Sequence, residues 1–392
     1  MSDAERAPRV LYLSYNFPPK VGGLELVVRR TWQAFSETGE VTALAQHAEG
    51  AAPDDEAGVR RAPRPGMLRY LWFALRRGRR LVSDRAVDVV VSGSGLTALP
   101  AVRLARRAGA RSMLLVHGLD VVHPSFLYQR LLRYALPRAS LVVANSEAVR
   151  REVLARGGRP DAVRVIHPGC DAERFAGDAD VEGFRERWGI RPGPVILTAG
   201  RLVPRKGVDR FVGECLPRVL AHVPDATFVV AGGDPRGALV HGGHAEAVRR
   251  AADEAGLSDH VVITGRLPDG ELAAAFRLAS VFVLPAVPVR GDMEGFGIVL
   301  LEAAAAGVPA VAAAVGGITD AVEHGVSGIL VPPGDDTGLA EAVRRFLEDE
   351  DARRQFGEAG RCRVLRDFTW DAAGRRYVDA LLALCGRDRT EP

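Results

Sequence analysis

Short apolar runs rich in β-branched residues alternate with amphipathic stretches of helical period along most of the chain. In the first half, the runs that predict strands are Val10–Ser14, Val41–Ala45, Val87–Ser92, Ser112–Val116, Leu141–Ala144 and Val163–Ile166. The alternation stops in a charged stretch and restarts with Val195–Ala199, Thr227–Ala231, Val261–Thr264, Val281–Leu284, Ala310–Ala314 and Gly328–Val331. Because each parallel strand must be reached by a crossover, this order predicts two parallel sheets covered by helices.

The pattern therefore predicts an α/β protein with two Rossmann-like domains. We place the first domain at residues 1–170, a linker at 171–194, the second domain at 195–370, and at 371–392 a terminal helix that returns toward the first domain and packs across both. Open parallel sheets bind ligands at the carboxyl ends of their strands. We expect the chemistry in a central cleft that the two domains face.

Charge and cysteine content exclude several classes of protein. The 392 residues carry 52 basic and 49 acidic side chains, a balance unlike that of a nucleic-acid-binding protein. Only two of the basic residues are lysines, Lys20 and Lys206. The four cysteines have no metal-site or redox spacing, and no apolar run reaches the roughly 18 residues of a membrane span. We expect a reduced, cytoplasmic protein.

A glycine pair follows the first predicted strand, in the stretch that ends with Gly22, Gly23 and Leu24. Glycines here let the backbone approach a ligand closely, and the helix that follows offers free N–H groups to an anion. The same pair is also typical of an ordinary turn from strand to helix. Both interpretations stay open.

The second predicted sheet carries more chemistry at its strand ends. Arg201 and Lys206 follow its first strand, where a guanidinium and an ammonium could grip a diphosphate from two sides. Glu294 and Glu302 lie eight positions apart around a helix start, and with a rise of about 1.5 Å per residue they would be about 10 Å apart if Glu294 lies just before the helix. One carboxylate could accept hydrogen bonds from a sugar and the other from a ribose. The alternative for the basic pair is a solvated turn.

His117 follows the fourth predicted strand of the first domain, again at a carboxyl end. A lone histidine is more often structural. At a strand end facing a ligand, however, it can donate a hydrogen bond to a sugar hydroxyl or contact a transferred group.

An arginine-rich segment between Val59 and Arg85 contains nine arginines and one acid, interleaved with aromatic and aliphatic residues. This mixture is typical of a helix lying on anionic lipid, which would place Arg69–Arg85 in peripheral contact with the inner face of the cell membrane. It is equally typical of a buried helix with an arginine rim, and Gly78 weakens a long amphipathic helix.

Taken together, the motifs resemble the family 4 retaining glycosyltransferases, which have the GT-B fold and use nucleotide-activated sugars. The ordered set comprises Phe17–Gly23, His117-Gly118, Asn145-Ser146, Pro168-Gly169, Arg201 with Lys206-Gly207, Gly232-Gly233, Glu294–Gly297 with Glu302, Gly307–Pro309 and Gly316-Gly317. Within that family, Arg201–Gly207 and Gly291–Val299 are similar to the mannosyltransferases that decorate phosphatidylinositol.

The resemblance implies roles for single residues. Arg201 and Lys206 would hold the donor diphosphate, Glu294 the sugar, Glu302 the ribose and Gly23 a phosphate, with Gly22 beside it. His117 would contact the sugar near its reacting face. The donor site would also include Gly295, Phe296 and Gly297.

The resemblance implies transfer of a hexose, with GDP-mannose as donor, to a hydroxyl of a lipid-linked or inositol-type acceptor. No metal or cofactor is implied beyond the nucleotide sugar, and no nucleic acid. The alternatives are a UDP-sugar used on a soluble metabolite or inositol phosphate, a nucleotide-sugar epimerase, and a non-catalytic nucleotide-binding module. Thr319-Asp320 stands where the family usually has a proline and a glutamate. No donor role is carried over to that position.

Overall fold

The computed structural model describes residues 6–19, 22–49, 57–84, 86–177, 179–234 and 243–386. The chain divides into two compact units, Met1–Gly169 together with Trp370–Pro392, and Cys170–Thr369. Each unit contains one sheet in which every strand pairing is parallel. The predicted pair of Rossmann-like domains is confirmed.

The first unit is built on a seven-stranded sheet with the order β3-β2-β1-β4-β5-β6-β7. Its strands are β1 (Arg9–Ser14), β2 (Glu40–Ala45), β3 (Val59–Arg61), β4 (Val89–Ser92), β5 (Arg111–Val116), β6 (Leu141–Ala144) and β7 (Val163–Val165). Its crossover helices are α1 (Gly23–Thr38), α2 (Met67–Asp84), α3 (Ala98–Ala108), α4 (Gly118–Val122), α5 (Phe126–Ala135) and α6 (Glu147–Ala155).

The second unit is built on a six-stranded sheet with the order β10-β9-β8-β11-β12-β13. Its strands are β8 (Val195–Ala199), β9 (Thr227–Ala231), β10 (Val261–Ile263), β11 (Val281–Leu284), β12 (Ala310–Ala313) and β13 (Gly328–Val331). Its helices are α7 (Ala172–Ala176), α8 (Val181–Arg187), α9 (Val208–Arg210), α10 (Leu216–Leu220), α11 (His244–Glu254), α12 (Asp269–Leu278), α13 (Ile298–Ala305), α14 (Ile318–Ala321), α15 (Asp336–Glu348) and α16 (Glu350–Asp367).

The strands form where apolar runs can be buried on both faces. All residues of β4, β6, β8, β9, β11 and β12 are buried, as expected for parallel strands that helices cover on both sides. Strand β3 was not predicted, because Val59-Arg60-Arg61 is short and mostly charged. Hydrogen bonding to β2 nevertheless recruits it to the sheet edge.

Residues 171–194, which the sequence pattern presents as a linker, are part of the second unit. Helices α7 and α8 contribute Phe175 and Phe184 to its core, and the ring of Phe175 meets Phe276 edge-on at 5.2 Å. The charged residues of this stretch hid the few apolar positions that anchor it.

The last helix, α17 (Trp370–Leu384), belongs to the first unit. It packs on α1, with the guanidinium of Arg30 lying 5.9 Å from the ring centre of Trp370. The hydroxyl of buried Tyr377 donates to the carbonyl oxygen of Ile166 at 3.3 Å. The chain thus passes through the second unit and returns to the first.

Candidate active site

In both sheets the strand order reverses between two central neighbours, β1 and β4 in the first unit and β8 and β11 in the second. Loops diverge to opposite faces at such a switch point, which leaves a crevice at the carboxyl ends of the strands. In the second unit, the loops after β8 and β11 carry Lys206 and Glu294. The residues predicted from sequence therefore lie where this topology opens a ligand site.

A buried ion-pair network joins these two loops. The Nζ of Lys206 lies 2.9 Å from Oε2 of Glu294, and the Nε of Arg205 lies 3.3 Å from the same oxygen. The Nη1 of Arg205 also meets Oδ2 of Asp292 at 2.9 Å. Lys206 is only 8% exposed and Glu294 9%. The network fixes the positions of both charged loops before any ligand binds.

The charges within this network determine the ionisation of Glu294. Burial alone would raise the pKa of its carboxyl, but the Lys206 ammonium and the Arg205 guanidinium outweigh burial and hold that pKa below its ordinary value. Glu294 is therefore a carboxylate at neutral pH. With Asp292 as the second anion, two cations and two anions balance.

Arg201 lies apart from this network. Its side chain is exposed, whereas that of Lys206 is buried. The sequence predicted Arg201 and Lys206 as a cationic pair. In the structure, Lys206 and Arg205 both contact Glu294, and Arg201 remains at the surface. Sequence reasoning missed Arg205 and Asp292, although Asp292 stands in the Gly291–Val299 motif and Arg205 precedes Lys206.

The turn Glu294-Gly295-Phe296-Gly297 depends on its glycines. Gly297 has a φ of 91° and precedes α13, a backbone conformation that other residues adopt at a cost. Gly316 and Gly317 press directly on this turn, since a Cβ on either would collide with the carbonyl oxygen of Glu294 or Gly295. The amide of Gly317 donates to the carbonyl oxygen of Glu294 at 2.9 Å. The second glycine pair thus braces the loop that carries Glu294, while Phe296 is buried beneath it.

Glu302 lies in the second turn of α13 and is half-buried. Burial raises the pKa of its carboxyl to about 7, opposed by the positive charges of Arg174 and Lys206 and reinforced by Asp269. The two predicted glutamates therefore differ, because Glu294 has cations in direct contact and Glu302 experiences them only at longer range.

At the first sheet, His117 follows β5 and is 8% exposed. Its Nε2 lies 3.2 Å from the carbonyl oxygen of Gly93, which can only accept, so that nitrogen carries the proton. Burial lowers the pKa of the imidazole to about 4, although this hydrogen bond opposes the shift. His117 is therefore neutral near pH 7.

Asp120 lies beside this histidine and was not predicted as a site residue. Its Oδ1 accepts from the amide of His117 at 2.6 Å and its Oδ2 from the amide of Gly95 at 2.7 Å. Burial raises the pKa of the carboxyl to about 7, against the lowering effect of these hydrogen bonds. The sequence feature that could have identified Asp120 is its position as the third residue of α4, where an acidic side chain commonly accepts a hydrogen bond from the backbone N–H of the residue before the helix.

The predicted glycine loop of the first unit leads directly into α1, which begins at Gly23. Gly22 is extended, and its carbonyl oxygen accepts from the amide of Leu26 at 3.0 Å. The side chain of Asn16 donates to Oε1 of Glu25 at 3.0 Å. Lys20 and Val21 lie outside the described residues.

Most of the arginine-rich segment forms one helix, α2, that continues through Gly78, while Val59–Arg61 forms β3 and Arg85 lies outside the described residues. A Cβ at Gly78 would come within 2.6 Å of the Leu104 side chain, so glycine allows α2 to pack closely on α3. One side buries Tyr70, Ala74 and Leu81, whereas Leu68 and Trp72 are 75% and 62% exposed. Within the described residues, no helix combines the length and apolarity needed to cross a membrane.

Two family descriptions match the chain, one in each half. The family described as "Glycosyltransferase Family 4" matches residues 21–174, and "Glycosyl transferases group 1" matches residues 180–363. A GDP-mannose-dependent α-(1-6)-phosphatidylinositol monomannoside mannosyltransferase of Mycolicibacterium smegmatis is 33% identical over 95% of this chain and 98% of its own. The chain is a family 4 glycosyltransferase.

Other similar proteins include relatives with a different named activity and solved structures with the same fold. A D-inositol 3-phosphate glycosyltransferase of Catenulispora acidiphila is 29% identical, covering 93% of this glycosyltransferase and 90% of the relative. The Alr3699/HepE protein of Anabaena, solved with UDP, superimposes with a TM-score of 0.79 at 22% identity over 96% and 100% of the two chains. Sucrose-phosphate synthase of Thermosynechococcus elongatus also reaches 0.79, at 23% identity over 97% and 99%. These structural likenesses confirm the GT-B fold.

Proposed function

We propose that this glycosyltransferase moves mannose from GDP-mannose, with retention at the anomeric carbon, to a hydroxyl of a lipid-linked inositol acceptor. The observation that carries the proposal is the similarity to the phosphatidylinositol monomannoside mannosyltransferase of M. smegmatis, which spans 98% of that relative and therefore both units. Of the activities named among the relatives, this one also suits the exposed apolar and arginine side chains of α2.

The charge balance at the second sheet supports a role for Arg201 in donor binding. Arg205, Lys206, Asp292 and Glu294 already neutralise one another. A diphosphate that enters this site brings further negative charge, which needs another positive group in addition to Lys206. Arg201, exposed on the loop after β8 four residues before Arg205, is such a group, and the N–H groups at the start of α13 assist it.

The two glutamates then bind different parts of the donor. Glu294 is held as a carboxylate and can accept from sugar hydroxyls while it keeps Lys206 in place. Glu302 gains hydrogen-bond donors when the ribose hydroxyls arrive, which offsets its burial. Gly295 and Gly297 leave room for the donor beside Glu294, and Gly22 and Gly23 remain predicted donor-binding residues of the first unit.

In the proposed reaction, the bond between the anomeric carbon and the diphosphate oxygen breaks as the acceptor oxygen bonds to the same face of that carbon. The electron pair of the breaking bond stays on the diphosphate, which takes the acceptor's proton. Arg201 and Lys206 stabilise the charge that develops on the leaving oxygen. No side-chain base or metal ion is needed, and the neutral His117 contacts the sugar without exchanging a proton.

A soluble inositol phosphate is the second candidate acceptor. The observation that favours it is the C. acidiphila relative, which covers 93% of this chain. The lipid acceptor implies peripheral contact with the inner face of the cell membrane through α2, and the soluble acceptor does not. The two proposals therefore differ in what the exposed side of α2 does.

The test is a donor panel followed by an acceptor panel. Thermal unfolding is measured with GDP-mannose and with UDP-sugars, where a ligand at 100 times its dissociation constant adds about 2.7 kcal/mol to the free energy of unfolding. Labelled sugar is then offered with phosphatidylinositol vesicles or with inositol 3-phosphate. Transfer of mannose from GDP-mannose to the lipid is expected. Preference for a UDP-sugar with the soluble acceptor would replace the proposal by the second candidate.

Two further outcomes would overturn both versions. An isomerised sugar still attached to its nucleotide would indicate an epimerase. Binding of nucleotide sugar without transfer to any acceptor would indicate a binding module.

A further inference from the structure

The first unit contains an apolar cavity between three of its helices. Its volume is about 150 Å³, and its walls include Leu71 and Leu75 of α2, Leu99 of α3, and Leu131 and Leu132 of α5. Leu71, Leu75 and Leu99 are half-buried and Leu131 is 40% exposed. The packing of these helices thus leaves apolar surface exposed where a ligand could cover it.

Two residues of the cavity lining are hydrogen-bonded to Asp120 at the carboxyl end of β5. Gly95 and Tyr128 line the cavity. The amide of Gly95 donates to the carboxyl of Asp120 at 2.7 Å, and the hydroxyl of Tyr128 donates to the Asp120 carbonyl oxygen at 2.5 Å. The same carboxyl accepts from the amide of His117. One residue therefore connects the cavity with the predicted sugar-contacting histidine.

The surface around the cavity is both apolar and basic. Of the ten large apolar side chains exposed among the described residues, eight lie on α2, α4 and α5: Met67, Leu68, Trp72, Leu119, Phe126, Leu127, Leu131 and Tyr134. Arg103, an exposed residue of α3, is the charged member of the cavity lining. Exposed arginines of α2 and α5, among them Arg69, Arg76 and Arg130, stand near these apolar side chains in sequence.

This combination selects one kind of occupant. A purely apolar ligand would not need the arginines, and a soluble anion would not need the leucines. An acyl chain attached to an anionic headgroup uses both, with its phosphate near Arg103 and its chain among the leucines. A lipid occupant also explains the eight exposed apolar side chains, because they would contact the lipid layer that supplies the acyl chain.

We propose that this cavity binds the headgroup-proximal part of one acyl chain of an anionic lipid. The inference rests on the proposed function in one respect, since that function makes this lipid the acceptor. An apolar cavity of about 150 Å³ is large enough for a benzene molecule, so about six chain carbons fit. The rest of the chain stays in the lipid layer.

The proposal predicts how affinity depends on chain length. Each methylene buried is worth about 0.8 kcal/mol, which is about a fourfold gain in affinity. The cavity is open on one side, so two- to fourfold per carbon is expected. The gain stops at about six carbons, when the cavity is full. Partition onto a featureless apolar surface would instead continue to strengthen with length.

The experiment measures binding of water-soluble phosphatidylinositols with acyl chains of four, six and eight carbons to the full chain by calorimetry, below their micelle concentrations. Glycerophosphoinositol gives the affinity of the headgroup alone. Leu75→Trp fills the cavity from α2. Its matched control is Leu68→Trp, on the same helix but outside the lining and 75% exposed. Leu99→Phe, a smaller change from α3, tests the same point should Leu75→Trp fail to fold.

Wild type and Leu68→Trp are expected to gain affinity up to six carbons and then level off, while Leu75→Trp and Leu99→Phe bind every chain about as weakly as the headgroup. Affinity that is independent of chain length in wild type would overturn the proposal and leave this surface to a partner protein. Equal chain-length gains in all four proteins would also overturn it.

The same preparations are tested with nucleotide sugars, so that the two proposals fail separately. Mannose transfer to phosphatidylinositol together with a flat chain-length series would retain the proposed function and overturn the proposal that the cavity binds an acyl chain. Suppose instead that affinity rises with acyl-chain length and then levels off, but the protein binds no nucleotide sugar. That result would retain the cavity as a lipid site and overturn the proposed function.

Discussion

The buried polar groups at the carboxyl ends of the two sheets are stabilised in different ways. At the second sheet, Glu294 is ionised and neutralised by Lys206 and Arg205. At the first sheet, Asp120 and His117 bond to backbone groups, and burial keeps the imidazole neutral. The same strand order therefore produces one site with paired charges and one with groups that backbone hydrogen bonds satisfy.

The difference indicates how the two sites divide the chemistry in the proposed reaction. Charge develops on the leaving diphosphate, and fixed cations at the second sheet can stabilise it without reorganising. In the same proposal, neutral groups at the first sheet such as His117 would contact the sugar. Substitutions at the two sheets should therefore differ in their effects on sugar transfer and on stability.

The double substitution Arg201→Ala with Lys206→Ala is expected to lower sugar transfer by about 10⁴-fold, since one preorganised donor is commonly worth 10²- to 10³-fold. Initial rates with GDP-mannose measure it. Arg210→Ala is the control, because Arg210 forms a half-exposed ion pair with Asp336 at 2.7 Å. A double variant that transfers sugar at the wild-type rate would refute the assignment of both cations.

Glu294→Gln is expected to lower the free energy of unfolding by about 3 kcal/mol at pH 8, because it leaves buried Lys206 without its carboxylate, while Arg205 keeps Asp292. The folded-state pKa of Glu294 is depressed, so its contribution is present above pH 4.5 and is lost as pH falls through the folded-state value. Urea unfolding at several pH values measures this loss. Equal stability of variant and wild type at pH 8 would mean that the network contributes no net stability.

Glu302→Gln is expected to have the opposite effect on stability. The folded-state pKa is raised from 4.5 to about 7, so this carboxyl destabilises the protein as pH rises through that window. The amide should therefore stabilise the protein by up to about 3 kcal/mol at pH 8 and change nothing at pH 4. Donor affinity should fall about tenfold, because a charged acceptor for the ribose is lost. A destabilised variant would show that Glu302 already has a partner.

At the first sheet, the net effect of pH is expected to be smallest. Asp120 stabilises the fold as pH falls from about 7 toward 3.8, whereas His117 destabilises it as pH falls from 6.5 toward about 4. The two contributions differ by about 1 kcal/mol and nearly cancel.

Single substitutions separate these contributions. Relative to wild type, His117→Gln should gain stability as pH falls from 7 to 4, and Asp120→Asn should lose it. Unfolding free energies compared at the two pH values measure both slopes. Parallel slopes in the two variants would contradict the assignment.

Sequence patterns predicted the strands of both sheets almost completely, because apolar runs that are buried on both faces leave a clear signal. They failed at β3, where arginines interrupt the run and only pairing with β2 makes the strand. They also failed at residues 171–194, where Phe175 and Phe184 anchor a charged stretch to a core that lies far away in sequence.

For the candidate site, the sequence by itself determined which chemical groups stand at the strand ends, because the order of strands and loops is local information. Only the tertiary structure decided the partners. Glu294 takes Lys206 together with Arg205 rather than Arg201, and Glu302 has no ion pair among the residues that the structure describes. The physical reason is that an ion pair depends on distances of a few ångströms between loops nearly 90 residues apart. Those distances exist only after β8 and β11 have paired.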